Sequence, residues 1–194
     1  MEFTLVYQGP LKANGSIIDK QNIRREFHRQ LVELWKQEPL SGRMRGNTKL
    51  LENILTIDEP PSGITSITQK IGRFIFAPLV CSKLHLVAEL AITFLRPEPP
   101  GCIVTQGGDI DNRLKTLFDA LRMPKEEKEI PKSDIPREGE DPFFCVLEDD
   151  NLITKLTVTT DRLLKPCEDS SFVNLLIAVR TKATQLVIDN MDIA

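Results

Sequence analysis

The chain has few of the residues that build disulfide or zinc sites. Its four cysteines, at positions 81, 102, 145 and 167, form no C-x-x-C pair, and this pattern argues against a zinc site. The sequence also shows no signal peptide and no apolar run long enough to span a membrane. We therefore expect a cytoplasmic protein with reduced thiols and no membrane contact.

The chain also lacks an excess of positive charge. Its formal net charge is −3, whereas phosphate binding draws on lysine and arginine. A metal site concentrates acidic residues, however, so the basic residues of a nucleic-acid enzyme need only cluster elsewhere. The overall charge therefore does not decide whether the partner is a nucleic acid. The length of 194 residues and a hydrophobic content of 41% predict a single globular domain over residues 1–194.

Hydrophobic periodicity predicts both strands and helices. Alternating apolar residues predict strands over 2–8, 83–95, 152–160 and 172–180. Helical spacing predicts one helix over 20–37, capped by Ser16 or Asp19, and another that ends at Leu121. Between these two helices, residues 67–71 are predicted to form a short helix and residues 73–76 a strand. Residues 185–194 are interpreted as an arm that docks on a second subunit. The order predicts an α+β fold, in which flanking helices cover a mixed β-sheet.

One charged segment interrupts this order. Residues 124–142 are rich in Lys, Glu, Asp and Pro, a composition that predicts a mobile charged loop because it buries little apolar surface. A lid or a recognition element is the alternative.

The first predicted helix carries Arg24, Arg25 and Arg29, which form either a solvated face or a ridge of phosphate contacts.

The chemistry of the chain centres on two acidic clusters. The run Gly107-Gly108-Asp109-Ile110-Asp111 leads into the helix that ends at Leu121, and Lys115 lies one turn after Asp111. A second cluster, 148–150, precedes the predicted strand 152–160. Carboxylates at a helix start and at a strand start can meet at a sheet edge and hold a hard divalent cation. The ordinary alternatives are a helix cap, a surface ion pair and a solvated turn.

These two clusters together resemble a known family. The helix start reads D-x-D-N-x-x-K over residues 109–115, and L-x-D-D-x-x-I follows over residues 147–153. This combination resembles the core of the RusA family of Holliday junction resolvases. Residues 39–81 and the loop 124–142 lengthen the chain relative to that family, so the resemblance implies a RusA-like fold with insertions.

The resemblance also implies a mechanism and partners. Asp109, Asp111 and Asp150 would bind Mg²⁺, with Mn²⁺ able to substitute, and Lys115 would contact the scissile phosphate. The substrate would be four-way or other branched DNA, cleaved by a homodimer whose two-fold axis matches the two equivalent strands. Two alternatives stay open: a non-catalytic RusA-like module that binds nucleic acid or assembles with a larger system, and another metal-dependent nucleotide hydrolase.

Overall fold

A computed structural model of the chain describes residues 1–41, 67–97, 110–165, 169–187 and 189–194. Within these ranges, two helices are present, α1 (Ile17–Trp35) and α2 (Ile110–Leu121). The strands of the same ranges are β1 (Glu2–Pro10), β2 (Gln69–Ile71), β3 (Phe74–Val80), β4 (Leu86–Arg96), β5 (Phe143–Leu147), β6 (Ile153–Arg162) and β7 (Phe172–Ala183). The α+β class predicted from the sequence is confirmed.

The strands form two mixed sheets rather than the single sheet that the sequence predicts. The larger sheet has the order β1-β7-β4-β6, in which β7 is antiparallel to β1 and β4, and β6 is parallel to β4. The smaller sheet has the order β2-β3-β5, with β3 parallel to β5. Alternation along each strand predicts its faces but not its partners, so it gives no information on how strands divide between sheets.

The larger sheet presents one apolar face to the helices. Alternate residues of β4 and β7 are buried, and the core residues of these two strands are Leu86, Ala88, Leu90, Ile92, Phe94, Val173, Leu175, Ile177 and Val179. Strand β5 is buried along its whole length, as expected for a strand covered on both faces. The helices pack on these surfaces through one continuous core.

Residues 67–71 do not form the short helix that their apolar spacing predicts. Gln69–Ile71 is instead strand β2, which pairs antiparallel with β3. Gly72 makes the tight turn between the two strands with φ of 58°, a backbone angle that glycine adopts at little cost. Residues 42–66, which make up most of the predicted insertion over 39–81, lie outside the described residues.

Helix α1 begins at a capping box. The Ser16 side chain accepts a hydrogen bond from the Asp19 backbone, and the Asp19 carboxylate accepts one from the Ser16 backbone at 2.9 Å. Just before the cap, the Gly15 amide donates to Thr116 Oγ1 of α2 at 2.9 Å. A Cβ at Gly15 would lie 2.6 Å from Thr116 Cγ2, so this close approach of the two elements requires glycine.

The charged segment 124–142 packs against α1 through buried contacts, which its composition did not predict. Ile130 is buried in a small apolar cluster with Phe74, Phe76 and Phe143, and Glu140 is buried as well. Residues 131–140 supply hydrogen-bond partners for the side chains of Arg25 and His28 of α1. Buried ion pairs thus order a segment that has too few apolar residues to order itself.

The C-terminal segment also packs on its own chain rather than extending as an arm. Asn190 is fully buried and donates from Nδ2 to the Leu84 carbonyl at 2.8 Å. Ile193 is buried against the core, and its carbonyl accepts a hydrogen bond from Thr181. The Met1 ammonium contacts the Ala194 carbonyl at 3.0 Å. In the described ranges, no helix is long and apolar enough to cross a membrane.

His28 of α1 contacts the charged segment 124–142 at Gly139 and the start of strand β5 at Phe143 and Phe144. Its ring stacks on Phe143 with centroids 4.4 Å apart. Nδ1 accepts a hydrogen bond from the Phe144 amide at 2.9 Å, and Nε2 lies 3.0 Å from the Gly139 carbonyl. The imidazole is therefore neutral, with its proton on Nε2. Burial lowers the pKa of His28 below its ordinary value, although the hydrogen bond to Gly139 and the nearby Glu140 carboxylate oppose this effect.

We expect the folded protein to lose stability as the pH falls below about 6.5, the unfolded pKa of histidine. The unfolded state then binds a proton that the folded state excludes, at a cost of at most about 1.4 kcal/mol per pH unit. Denaturant unfolding of the wild type and His28→Gln at pH 7 and pH 5.5 measures this effect. The wild type should lose more stability than the variant over this interval. An equal loss in both proteins would contradict the role of His28.

Candidate functional site

The first turns of α2 carry two of the predicted site residues on an exposed face. Asp111 and Lys115 are both exposed, and Asp111 Oδ1 accepts a hydrogen bond from the Asn112 amide at 2.7 Å. Lys115 forms no ion pair with any residue of the described ranges. Asp109, the remaining predicted ligand on this side, lies outside the described residues.

Asp119 does not pair with Lys115, although the spacing of four residues allows such a pair. Its carboxylate instead contacts Lys20 Nζ of α1 at 2.8 Å and Arg122 Nη2 at 2.8 Å. Burial opposes ionisation of Asp119, but the contacts with Lys20 and Arg122 outweigh it and lower the pKa of the carboxyl group. Asp119 thus belongs to the junction between α1 and the end of α2, and Lys115 remains available to a ligand.

The second acidic cluster follows directly from β5 and is held by backbone hydrogen bonds. The Met123 amide, just after α2, donates to the Leu147 carbonyl at 2.9 Å, and the Glu148 amide donates to the Val80 carbonyl at 2.9 Å. Residues 150–152 then form a single 3-10 turn that leads into β6. We call residues 148–150 the acidic turn. Its position is set by the end of α2 on one side and by β3 on the other.

The first residue of the acidic turn is a structural anchor. Glu148 Oε1 accepts a hydrogen bond from Gln69 Nε2 at 2.9 Å, and Oε2 accepts one from the Ser82 amide at 2.8 Å. Both oxygens are therefore engaged, one by strand β2 of the smaller sheet and the other by the segment that follows β3. These bonds fix the orientation of the backbone that carries the next two aspartates.

The pKa values of the two aspartates of the acidic turn shift in opposite directions. Asp149 contacts Lys125 Nζ at 2.6 Å and accepts a hydrogen bond from the Asn151 amide at 3.0 Å. Burial opposes its ionisation, but these contacts prevail and lower the pKa of Asp149 to about 2. Burial and the neighbouring Asp149 carboxylate raise the pKa of Asp150. Asp150 is exposed as a residue but its carboxyl group is partly buried beside a like charge, an arrangement that a bound cation would stabilise.

The turn that contains Asp150 packs against α2, the helix that carries Asp111 and Lys115. No hydrogen bond or ion pair joins Asp111 or Lys115 to Asp149 or Asp150 in the described part of the chain. In the same part, no group of three His, Cys, Asp or Glu side chains lies close enough together to hold a metal ion. The described residues therefore supply two of the three predicted ligands, and the set is incomplete without Asp109.

Arg24 is not the exposed phosphate contact that its position in a basic run predicts. Its side chain is 2% exposed. Nε donates to the Arg122 carbonyl at 3.0 Å and Nη2 to the Asp119 carbonyl at 2.6 Å. These carbonyls belong to the end of α2, where carbonyl groups lack partners within the helix and the helix dipole favours a cation. Arg24 is a capping residue of α2.

Arg25 is likewise buried and engaged, at 5% exposure. Its guanidinium contacts Glu140 Oε1 and Asp134 Oδ1, each at 2.8 Å. Only Arg29 matches the predicted exposed face, since its side chain is 65% exposed and contacts Glu26 at 2.9 Å. A role in nucleic-acid binding therefore stays a prediction for Arg29, whereas the geometry of Arg24 and Arg25 contradicts it.

Sequence reasoning missed two cations near the acidic turn, Lys125 and Arg122, and it did not assign an anchoring role to Glu148, a member of the predicted cluster. Lys125 contacts Asp149 at 2.6 Å, and both cations act to lower the pKa of Asp150. Glu148 is adjacent to the aspartates in sequence, which is a usable signal. Lys125 lies at the start of a charged segment that its composition marks as a mobile loop, so its contact with Asp149 had no sequence signal.

Comparison of the chain with protein-family models, with curated proteins and with solved structures finds no match.

We expect Arg25→Ala to destabilise the protein by about 3 kcal/mol or more, because the Asp134 and Glu140 carboxylates would stay buried without a cation. The matched control is Arg29→Ala, one helical turn later, which removes an exposed ion pair and should cost less than about 1 kcal/mol. Urea denaturation of both variants at pH 7 measures the difference. Similar unfolding midpoints for the two variants would show that the Arg25 contacts add little to stability.

Proposed function

We propose that this protein is a cytoplasmic, metal-dependent endonuclease that hydrolyses phosphodiester bonds in four-way (Holliday) or other branched DNA. One observation carries the proposal: the turn that contains Asp150 packs against the helix that exposes Asp111 and Lys115. The two halves of the RusA-like motif are separated by the charged segment 124–142, yet they belong to neighbouring elements. Such an enzyme would act in DNA recombination or repair.

The donor set suits a hard divalent cation. Asp109, Asp111 and Asp150 would hold the metal, and all offer carboxylate oxygens, which Mg²⁺ and Mn²⁺ prefer. Mg²⁺ keeps several water ligands, so one or two carboxylates for each ion are sufficient. Burial, and after it the adjacent Asp149 carboxylate, raise the pKa of Asp150, and a bound cation would offset the repulsion between the two carboxylates. When bound, the metal would activate a water molecule and offset charge on the scissile phosphate.

The residues of the chain itself have distinct roles in this proposal. Lys115 lies one helical turn after Asp111 and, being exposed, can bind a non-bridging phosphate oxygen. Lys125 neutralises Asp149, which leaves Asp150 as the available carboxylate of the acidic turn. Glu148 fixes the turn through Gln69 and Ser82. A charged side chain held in place before the reaction is most effective where charge develops in the transition state.

The proposed active form is a homodimer. A four-way junction offers two equivalent strands for cleavage, and a two-fold axis would present one acidic centre to each of them. Arg29, which is exposed on α1, is the remaining candidate for a contact with the DNA backbone.

A second candidate function is a non-catalytic module that binds branched DNA. The observation that favours it is that Lys115 and Arg29 are both exposed, since exposed cations can contact phosphates without a metal. One assay separates these candidates: purified protein is incubated with four-way, flap and linear DNA and with free nucleotides, with Mg²⁺ or with EDTA. Cleavage of branched DNA only with Mg²⁺ supports the nuclease. Binding without cleavage supports the module, and hydrolysis of free nucleotides alone contradicts both.

We expect Asp109→Asn, Asp111→Asn and Asp150→Asn each to abolish cleavage while junction binding persists. The substitution keeps the shape of the side chain and removes the charge that holds the cation. Asp161→Asn on the exposed surface of β6 is the control and should cut like the wild type. Single-turnover cleavage, with binding measured in Ca²⁺, tests this expectation. Near-normal cleavage by any of the three variants would remove that residue from the metal site.

Lys115→Ala should lower the rate of cleavage by about 100-fold or more, because a preorganised cation acts mainly on the transition state. Stability should change little, since Lys115 has no ion pair with a described residue. Lys36→Ala, which removes an exposed pair with Glu33 at 2.6 Å, is the matched surface control. The two variants are compared by single-turnover rates and by unfolding midpoints. Equal cleavage rates would leave Lys115 without a role in the reaction.

A further inference from the structure

A cavity of about 390 Å³ lies away from the acidic turn, where the turn between β2 and β3 meets the segment 127–134. Its volume falls in the range of pockets that hold small molecules, about 300 to 1,000 Å³. The walls include three cationic side chains, two acidic ones and an apolar side. The lining includes Arg73, Lys128, Ile130, Pro131, Lys132 and Asp134.

The charge balance of this cavity favours an anionic group. Asp134 is already neutralised by Arg25 at 2.8 Å, and Lys128 contacts Glu126 at 2.5 Å. Arg73 and Lys132 have no ion pair with any residue of the described ranges, and both are exposed. Glu127 is the remaining acid of the lining, so the two free cations exceed the free carboxylates by one. Two exposed cations that line one pocket and have no ion pair with a described residue are well suited to a phosphate group.

The lining also offers apolar surface for a ring. Ile130, Pro131 and Phe74 contribute this surface, and Phe74 packs in an apolar cluster with Phe76 and Phe143. A planar base with a phosphate therefore fits the chemistry of the walls.

We propose that this cavity binds a nucleotide unit, with its phosphate at Arg73 and Lys132 and its base against Ile130 and Pro131. The unit is either a free nucleotide or one residue of a DNA strand. The cavity wall begins at Glu127, two residues after Lys125, which contacts Asp149 of the acidic turn. A strand bound in the cavity would therefore contact the same segment that contacts the acidic turn through Lys125. The strand form of the inference rests on the proposed function, whereas nucleotide binding does not.

The test measures binding in EDTA, so that it does not depend on cleavage. The probes are dAMP, followed by calorimetry, and a fluorescein-labelled single-stranded oligonucleotide, followed by anisotropy. The variant Arg73→Ala/Lys132→Ala removes both free cations. The charge-matched control is Lys36→Ala/Lys70→Ala, in which both lysines are exposed and neither lines the cavity.

We expect the cavity variant to bind the probe at least about tenfold more weakly than the wild type, and the control variant to differ by less than about twofold. Saturable binding of dAMP alone would identify a free nucleotide as the ligand. Binding of the oligonucleotide, with competition by dAMP, would identify a residue of a strand.

Three outcomes would overturn the inference. The first is no saturable binding of either probe. The second is an equal loss in the two double variants, which would indicate a general effect of charge. The third is competition by inorganic phosphate as strong as that by dAMP, which would show that the base makes no contact. Binding at the cavity by a protein that cleaves no DNA would sustain this inference and overturn the proposed nuclease, so the two can fail separately.

Discussion

Two adjacent arginines of α1 hold together the parts of the molecule on which the candidate site depends. Arg24 caps the carbonyl end of α2, and Arg25 binds Asp134 and Glu140 of the charged segment. Because a buried cation without partners costs several kcal/mol, both arginines require their distant partners to be in place. The end of α2 and the segment 124–142 are thereby fixed on the same helix.

The position of the acidic turn follows from this constraint. The chain leaves α2 and immediately pairs with the end of β5 through Met123 and Leu147, so the end of α2 determines where residues 148–150 lie. Lys125 lies two residues after Met123 and neutralises Asp149. Partial burial beside a second carboxylate then raises the pKa of Asp150. The charged segment thus contributes to the electrostatics of the candidate metal site and also forms one wall of the nucleotide-sized cavity.

The elements that the sequence predicts well are those with long, regular patterns. Strand β4 and helix α2 match their predicted spans to within a few residues because alternating and helical apolar spacing persist over their lengths. The capping box at Ser16 also agrees with its sequence signal. The prediction for 67–71 was wrong because two apolar residues four positions apart fit a helical turn, whereas the turn at Gly72 and the pairing with β3 make this segment a strand.

The sequence by itself determined the α+β class, most element boundaries and the exposed position of Asp111 and Lys115, since these depend on local patterns. Only the tertiary structure decided which of the basic residues are buried and which are exposed. Arg24, Arg25 and Arg29 look alike in sequence, yet two are buried and one is exposed. The partners of the buried pair lie 98 and 115 residues away, and no local pattern records a contact over that separation. Whether a charge is solvated or buried depends on what packs against it, and the distant chain supplies that surface.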